Sequence, residues 1–138
     1  MIKPGMIQLT RFIPHPPTKV WAALTQPELH AKWWVAGDVR AVVGHCFSLD
    51  MGTWGQQPCE VIAVETEKLF SYSFAPGTLD TTVTWRLHAE GTGTRLSLEH
   101  SGFDLDSPLG KSAFHGMGNG WPTVLARIDS VLLEFSAI

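Results

Sequence analysis

The chain has 138 residues and a mass of 15.2 kDa, the usual size of one domain, and is long enough to bury a core without metal or disulfide staples. At 44% hydrophobic and 17% charged it carries less charge than the roughly 25% of an average soluble domain, which argues against disorder and requires apolar surface to be hidden. Its 10 Lys and Arg against 13 Asp and Glu give a formal charge of −3 with no basic run, so the electrostatic footprint of nucleic-acid binding is missing. Cys46 and Cys59 fit neither a metal spacing nor a disulfide framework, and no charged-then-apolar leader opens the chain. No apolar run approaches the roughly 18 residues of a membrane span. The expectation is one domain over residues 1–138, cytoplasmic, with free thiols and no membrane span.

In chain order, Met6 to Ile13 alternates loosely in polarity and stops at Pro14, which reads as a first strand. Pro16-Pro17-Thr18 opens a helical pattern in which Val20, Trp21 and Leu24 share a face. Thr25-Gln26-Pro27-Glu28 has the form of a capping box and predicts a second short helix to about Trp34. From Val39 to His100 the period becomes two, with turn signals at Gly44, Gly52, Gly55, Pro58, Pro76-Gly77 and Gly91-Thr92-Gly93, as in an antiparallel meander. Four strands each show one apolar face: Phe47, Leu49 and Met51; Phe70, Tyr72 and Phe74; Val83, Trp85 and Leu87; Leu96, Leu98 and His100. That face needs a cover.

The last segment supplies it. Trp121, Val124, Leu125, Ile128, Leu132 and Phe135 recur at steps of three and four, and Leu109, Ala113 and Met117 extend the stripe upstream to a start at Asp106 or Ser107 before Pro108. Pro122 removes a backbone bond to Gly118, and with Gly116, Gly118 and Gly120 it predicts a kink or break and a gate-like segment nearby.

The order of strand, two short helices, six-stranded meander and long C-terminal helix resembles the START-like (SRPBCC) superfamily. Val20-Trp21-Ala22-Ala23-Leu24-Thr25-Gln26-Pro27-Glu28 with Lys32-Trp33-Trp34, and Gly120-Trp121-Pro122-Thr123-Val124-Leu125-Ala126-Arg127-Ile128, are similar to the two signatures of the activator of heat-shock-protein-90 ATPase homologue-like family. The resemblance covers nearly the whole chain. It implies an α+β helix-grip fold (START-like, Bet v 1-like), with a curved antiparallel sheet wrapped around the C-terminal helix. Chaperone activation, which in the eukaryotic co-chaperone involves an additional N-terminal domain, is not carried over.

Six scattered histidines show no spacing that would place two imidazoles on one metal, and the sequence holds no nucleophile elbow, phosphate loop or dinucleotide glycine fingerprint. No cofactor is expected. Three functions remain. The leading one is binding of a small hydrophobic molecule, a lipid or aromatic metabolite, by Phe47, Met51, Tyr72, Phe74, Trp85, His100, Phe114, Met117, Trp121 and Leu125. The second is a cyclase or hydrolyase using His100, expected at the cavity mouth, and Tyr72 as acid and base; the third is a protein-interaction module, with the chain a monomer or homodimer. Each has a packing alternative: His100 as a satisfied core histidine, Tyr72 with an internal hydrogen bond, Asp104 and Asp106 as capping residues, and the aromatic stripes as solid core.

Overall fold

The computed structural model describes residues 5–136, and the side chains of residues 5–134; the side chain of Phe135, expected on the helical stripe, lies outside the described residues. The first strand, β1 (Ile7–Ile13), buries Ile7 and Ile13 at its two ends and sends Gln8, Thr10 and Phe12 outward. Two short helices follow, α1 (Pro17–Thr25) and α2 (Pro27–Trp33). Each has proline in its first turn, where the missing amide proton costs nothing. The capping box expected at Thr25 does not form: Thr25 is the last residue of α1 and its hydroxyl donates to the Trp21 carbonyl at 2.7 Å. Gln26 takes the cap position of α2 without a side-chain bond.

The sheet contains β2 (Cys46–Asp50), β3 (Gln56–Glu65), β4 (Leu69–Phe74), β5 (Thr81–Glu90) and β6 (Gly93–Ser101), in the order β1-β6-β5-β4-β3-β2. The meander after the helices is therefore five strands, not six, and β1 completes the sheet by pairing with β6 from Ile7 opposite His100 to Ile13 opposite Thr94. Pro58 lies inside β3 rather than at a turn. Its carbonyl accepts the Ala75 amide just past the end of β4, so its own nitrogen points to the side where no ladder partner remains. A register shift between Val61 and Ala63 puts Ile62 outside, a bulge of the kind that bends a sheet.

A single helix, α3 (Pro108–Ser136), lies on the concave face and runs unbroken past Pro122, where a kink or break was expected. Pro122 is exposed. The helix continues through it although Pro122 supplies no amide proton to the Gly118 carbonyl. At the start of α3 the Ser107 hydroxyl accepts the Gly110 amide at 3.2 Å, and Asp104 turns the preceding loop by accepting the Asp106 amide at 3.0 Å. Trp121, Leu125, Ile128 and Leu132 are each at most 2% exposed, so the C-terminal half of the helix is the anchored half. Arg11 of β1 holds that half with a two-pronged contact, Nε to Asp129 Oδ1 at 3.2 Å and Nη2 to Oδ2 at 3.0 Å.

Gly120 has an ordinary helical backbone, and a Cβ there would meet nothing within 4 Å. Gly120→Ala should raise stability by about 0.5–1 kcal/mol through helix propensity alone, read as a shift in the denaturant midpoint with an unchanged slope.

Candidate functional site: an apolar cleft beside a sealed aromatic core

The six tryptophans divide between core and surface. Trp33 stands edge-on to Trp85 at 5.6 Å, Trp85 edge-on to Trp121 at 5.6 Å, and Trp121 packs on Trp34 at 4.7 Å. The Trp33 indole also donates to the Ala23 carbonyl at 2.7 Å, joining α2 to α1. Beside it, His30 is buried and its Nδ1 proton goes to the Val35 carbonyl at 2.7 Å. This lattice fills the middle of the concave face.

His100 belongs to the same core. The Trp121 indole can only donate, so its 3.2 Å contact makes His100 Nδ1 an acceptor. Nε2 therefore carries the proton and donates to Thr81 Oγ1 at 2.9 Å, and Thr81 in turn donates to the Phe74 carbonyl at 3.1 Å. Burial holds the imidazole down to about 3, and His30 is held to about 4 by the same cause against its bond to Val35. The expectation of His100 at a cavity mouth is corrected: both nitrogens are engaged, the residue is fully buried, and it does not line the cleft described below.

Tyr72 sits one row over. Tyr72 and His100 flank Val83 on successive strands, which separates their backbones by about 10 Å. Among the described residues the Tyr72 hydroxyl meets no hydrogen-bond partner, so the internal bond expected for it is absent. Burial pushes its phenol pKa up, with Cys59 acting in the same direction, and the Trp85 indole opposes the shift without satisfying the oxygen. Cys59 is itself buried, its thiol pushed up to about 12 by desolvation, while Cys46 is exposed; both are free. Neither Tyr72 nor His100 is placed to share a ligand in the cleft as an acid and base pair.

Open space lies elsewhere, at one end of the grip. A cleft of about 390 Å³ is bounded by three pieces of chain: Met51, Trp54 and Gln57 around the β2–β3 turn, Phe74, Thr78 and Leu79 around the β4–β5 loop, and Leu109, Ser112, Ala113, Gly116 and Met117 along the N-terminal half of α3. The β4–β5 wall is built on Ala75, buried and held at a φ of 57°, whose carbonyl accepts the amides of Thr78, Leu79 and Asp80 and the Thr78 hydroxyl. Such a backbone conformation is unfavourable for a residue with a Cβ, and the four donors offset it.

Of the ten residues singled out from the sequence, Met51, Phe74 and Met117 line this cleft. Phe47, Tyr72, Trp85, His100, Trp121 and Leu125 are buried in the core beneath the helix. Phe114 is half-buried and packs edge-on against Phe103 at 5.6 Å. The residues missed are Trp54, Gln57, Thr78, Leu79, Leu109, Ser112, Ala113 and Gly116. The helical stripe Leu109, Ala113, Met117 already carried a signal, and so did a tryptophan between two glycines at Gly52 and Gly55.

Two outcomes follow from the buried polar groups. An imidazole held neutral in the native state binds fewer protons than its unfolded counterpart, so the contributions of His30 and His100 are fully present above about pH 6.5 and are lost as pH falls towards about 4 for His30 and about 3 for His100. Each adds a slope approaching about 1.4 kcal/mol per pH unit in that window. Denaturant midpoints followed from neutral pH downwards should show this loss, and His100→Gln, less stable at neutral pH, should show a shallower one. Tyr72→Phe removes a buried hydroxyl that has no partner and should be neutral or stabilising by about 1 kcal/mol, checked by thermal unfolding.

Known proteins place this architecture. A profile of the Activator of Hsp90 ATPase homolog 1-like protein family matches residues 14–133. Among solved structures, protein MLL2253 from Mesorhizobium loti is similar at 36% identity and a TM-score of 0.82, covering 94% of this chain and 97% of its own. BH1534 from Bacillus halodurans is similar at 26% identity and a TM-score of 0.79, with 92% and 96% covered. CalU16 from Micromonospora echinospora, at 24% identity, a TM-score of 0.75 and coverage of 96% and 81%, shares the fold. A comparison with curated protein sequences found no match. Among the described residues no helix is long and apolar enough to cross a membrane. The chain belongs to the activator of Hsp90 ATPase homologue 1-like family, and its sheet and gripped C-terminal helix are the START-like fold.

Proposed function

We propose that the protein binds a small apolar molecule non-covalently in the cleft between the β2–β3 turn, the β4–β5 loop and the N-terminal half of α3. Family and fold are consistent with a ligand-binding domain. The observation that carries the reading is the cleft itself. Its volume of about 390 Å³ falls within the roughly 300–1,000 Å³ of small-molecule sites, and its walls are mainly apolar with only Gln57, Thr78 and Ser112 as polar side chains. Met51, Phe74 and Met117 of the original candidates are assigned to its lining. The other seven are assigned to packing, six in the core that holds the helix over the sheet and Phe114 against Phe103. The acid and base alternative loses its support because His100 has no free nitrogen and Tyr72 lies outside the lining.

Binding is tested with N-phenyl-1-naphthylamine, an uncharged dye that fluoresces when it leaves water. The wild type should give a saturable rise. Gly116 lines the cleft and a Cβ there meets nothing within 4 Å, so Gly116→Leu fills the space from a helix that keeps its fold. The variant should unfold at or above the wild-type temperature and weaken dye binding by about tenfold or more, as expected when a site is filled. A folded wild type that gives no saturable binding, and from which native mass spectrometry after organic extraction recovers no bound molecule, overturns the proposal.

A further inference from the structure

We propose that the occupant of the cleft is an uncharged aromatic molecule and that Trp54 is its clamp, folding its indole onto the face the cleft leaves open. This rests on the reading of the cleft as a binding site. The first support is electrostatic. No Asp, Glu, Lys, Arg or His lines the cleft, so a carboxylate, phosphate or ammonium entering it would shed water and gain no partner of opposite charge. The polar groups present, Gln57, Thr78 and Ser112, are all neutral. Gln57 donates one amide N–H to the Trp54 carbonyl at 2.7 Å, and Thr78 spends its proton on the Ala75 carbonyl at 3.0 Å, while the Ser112 hydroxyl can donate or accept. The oxygens of these groups can accept an N–H or O–H from the ligand, and none of them supplies a charge.

The second support is the state of Trp54. At 68% exposure it is more exposed than any other buried-type side chain of its size among the described residues, and it stands at the edge of the cleft. A large ring in water at a pocket mouth has apolar surface with no protein partner, and a stacked aromatic ligand would supply one. The ring is carried on a single 3-10 turn, Gly52–Trp54, closed by Gly55. Gly52 donates to Asp50 Oδ1 at 3.1 Å and Met51 donates to the Gly55 carbonyl at 2.9 Å, which ties the turn into one unit. Its two glycines have φ of 64° and 78°, conformations that residues with a Cβ rarely adopt, and nothing lies within 4 Å of either Cβ position, so neither flank of the turn is packed against neighbouring chain at those positions.

The test compares two dyes with one ring framework, uncharged N-phenyl-1-naphthylamine and its anionic relative 1-anilinonaphthalene-8-sulfonate. The wild type should bind the neutral dye at least tenfold more tightly. Trp54→Ala should weaken that binding about tenfold with an unchanged melting temperature, and Trp54→Phe, which keeps a ring, should recover most of it. With 5-fluorotryptophan incorporated, the fluorine resonance missing from Trp54→Phe identifies Trp54, and that resonance should shift on adding the neutral dye. Equal or tighter binding of the anionic dye overturns the ligand class, and unchanged affinity in Trp54→Ala overturns the clamp. Either result leaves binding in the cleft standing, provided Gly116→Leu still weakens it about tenfold or more. Absence of saturable binding of both dyes to wild type, with no bound molecule recovered by mass spectrometry after organic extraction, removes the site and the clamp together.

Discussion

One buried hydrogen-bond chain fixes where the rest of this structure can be open. The Trp121 indole donates to His100, His100 to Thr81, and Thr81 to the carbonyl of Phe74. It joins α3 to three strands: β6 through His100, β5 through Thr81 and β4 through Phe74. Every donor and acceptor in it is used, and in a low-dielectric interior a partly satisfied version would be costly. The centre of the concave face is therefore sealed by polar satisfaction as well as by the packed rings of Trp33, Trp34, Trp85 and Trp121. The cleft lies beyond Phe74, where the chain of bonds ends.

This placement decides the chemistry. A histidine able to move protons needs a reachable nitrogen and a pKa near the working pH. His100 has neither, because each nitrogen already faces a partner and burial holds its pKa to about 3. Strongly shifted values often mark catalytic groups, but desolvation without a charged neighbour is also the signature of structural burial. Here desolvation is the cause for His100 and the largest cause for His30, Cys59 and Tyr72. What the cleft offers instead is shape, thioethers from Met51 and Met117 that adapt to an occupant, and a few neutral hydrogen-bonding groups.

The architecture was legible because periodicity reports burial directly. Phe47, Leu49, Phe70, Tyr72, Phe74, Val83, Trp85, Leu96 and Leu98 all point inward as their alternation requires. The strand that alternation missed, β3, begins with Gln56-Gln57-Pro58 and breaks its own phase at Ile62, where the bulge shifts the register. The capping box at Thr25 failed because α1 runs to that residue, and its hydroxyl bonds back to Trp21. The candidate site was less legible for a different reason. Inward direction can be read from one strand, whereas saturation of His100 depends on Thr81 across a strand pair and Trp121 on another element, 19 and 21 residues away. Likewise Trp54, Thr78 and Leu79 sit in turns, which have no period to betray them.

The helix that covers the sheet is asymmetric, and the asymmetry accounts for its unusual sequence. In its C-terminal half Trp121, Leu125, Ile128 and Leu132 are buried and Arg11 grips Asp129, so that half is held by packing and by a charged contact. In its N-terminal half Leu109 is 47% exposed, Met117 is half-buried, and Gly116 presents no side chain at all where the helix borders the cleft. Alanine at Gly116 would stabilise the helix by about 1 kcal/mol. A Cβ there meets nothing within 4 Å, so local packing does not demand glycine; what glycine provides is room beside the cleft. The anchored half secures the fold through packing and the Arg11–Asp129 contact, while the other half leaves a volume open beside Gly116.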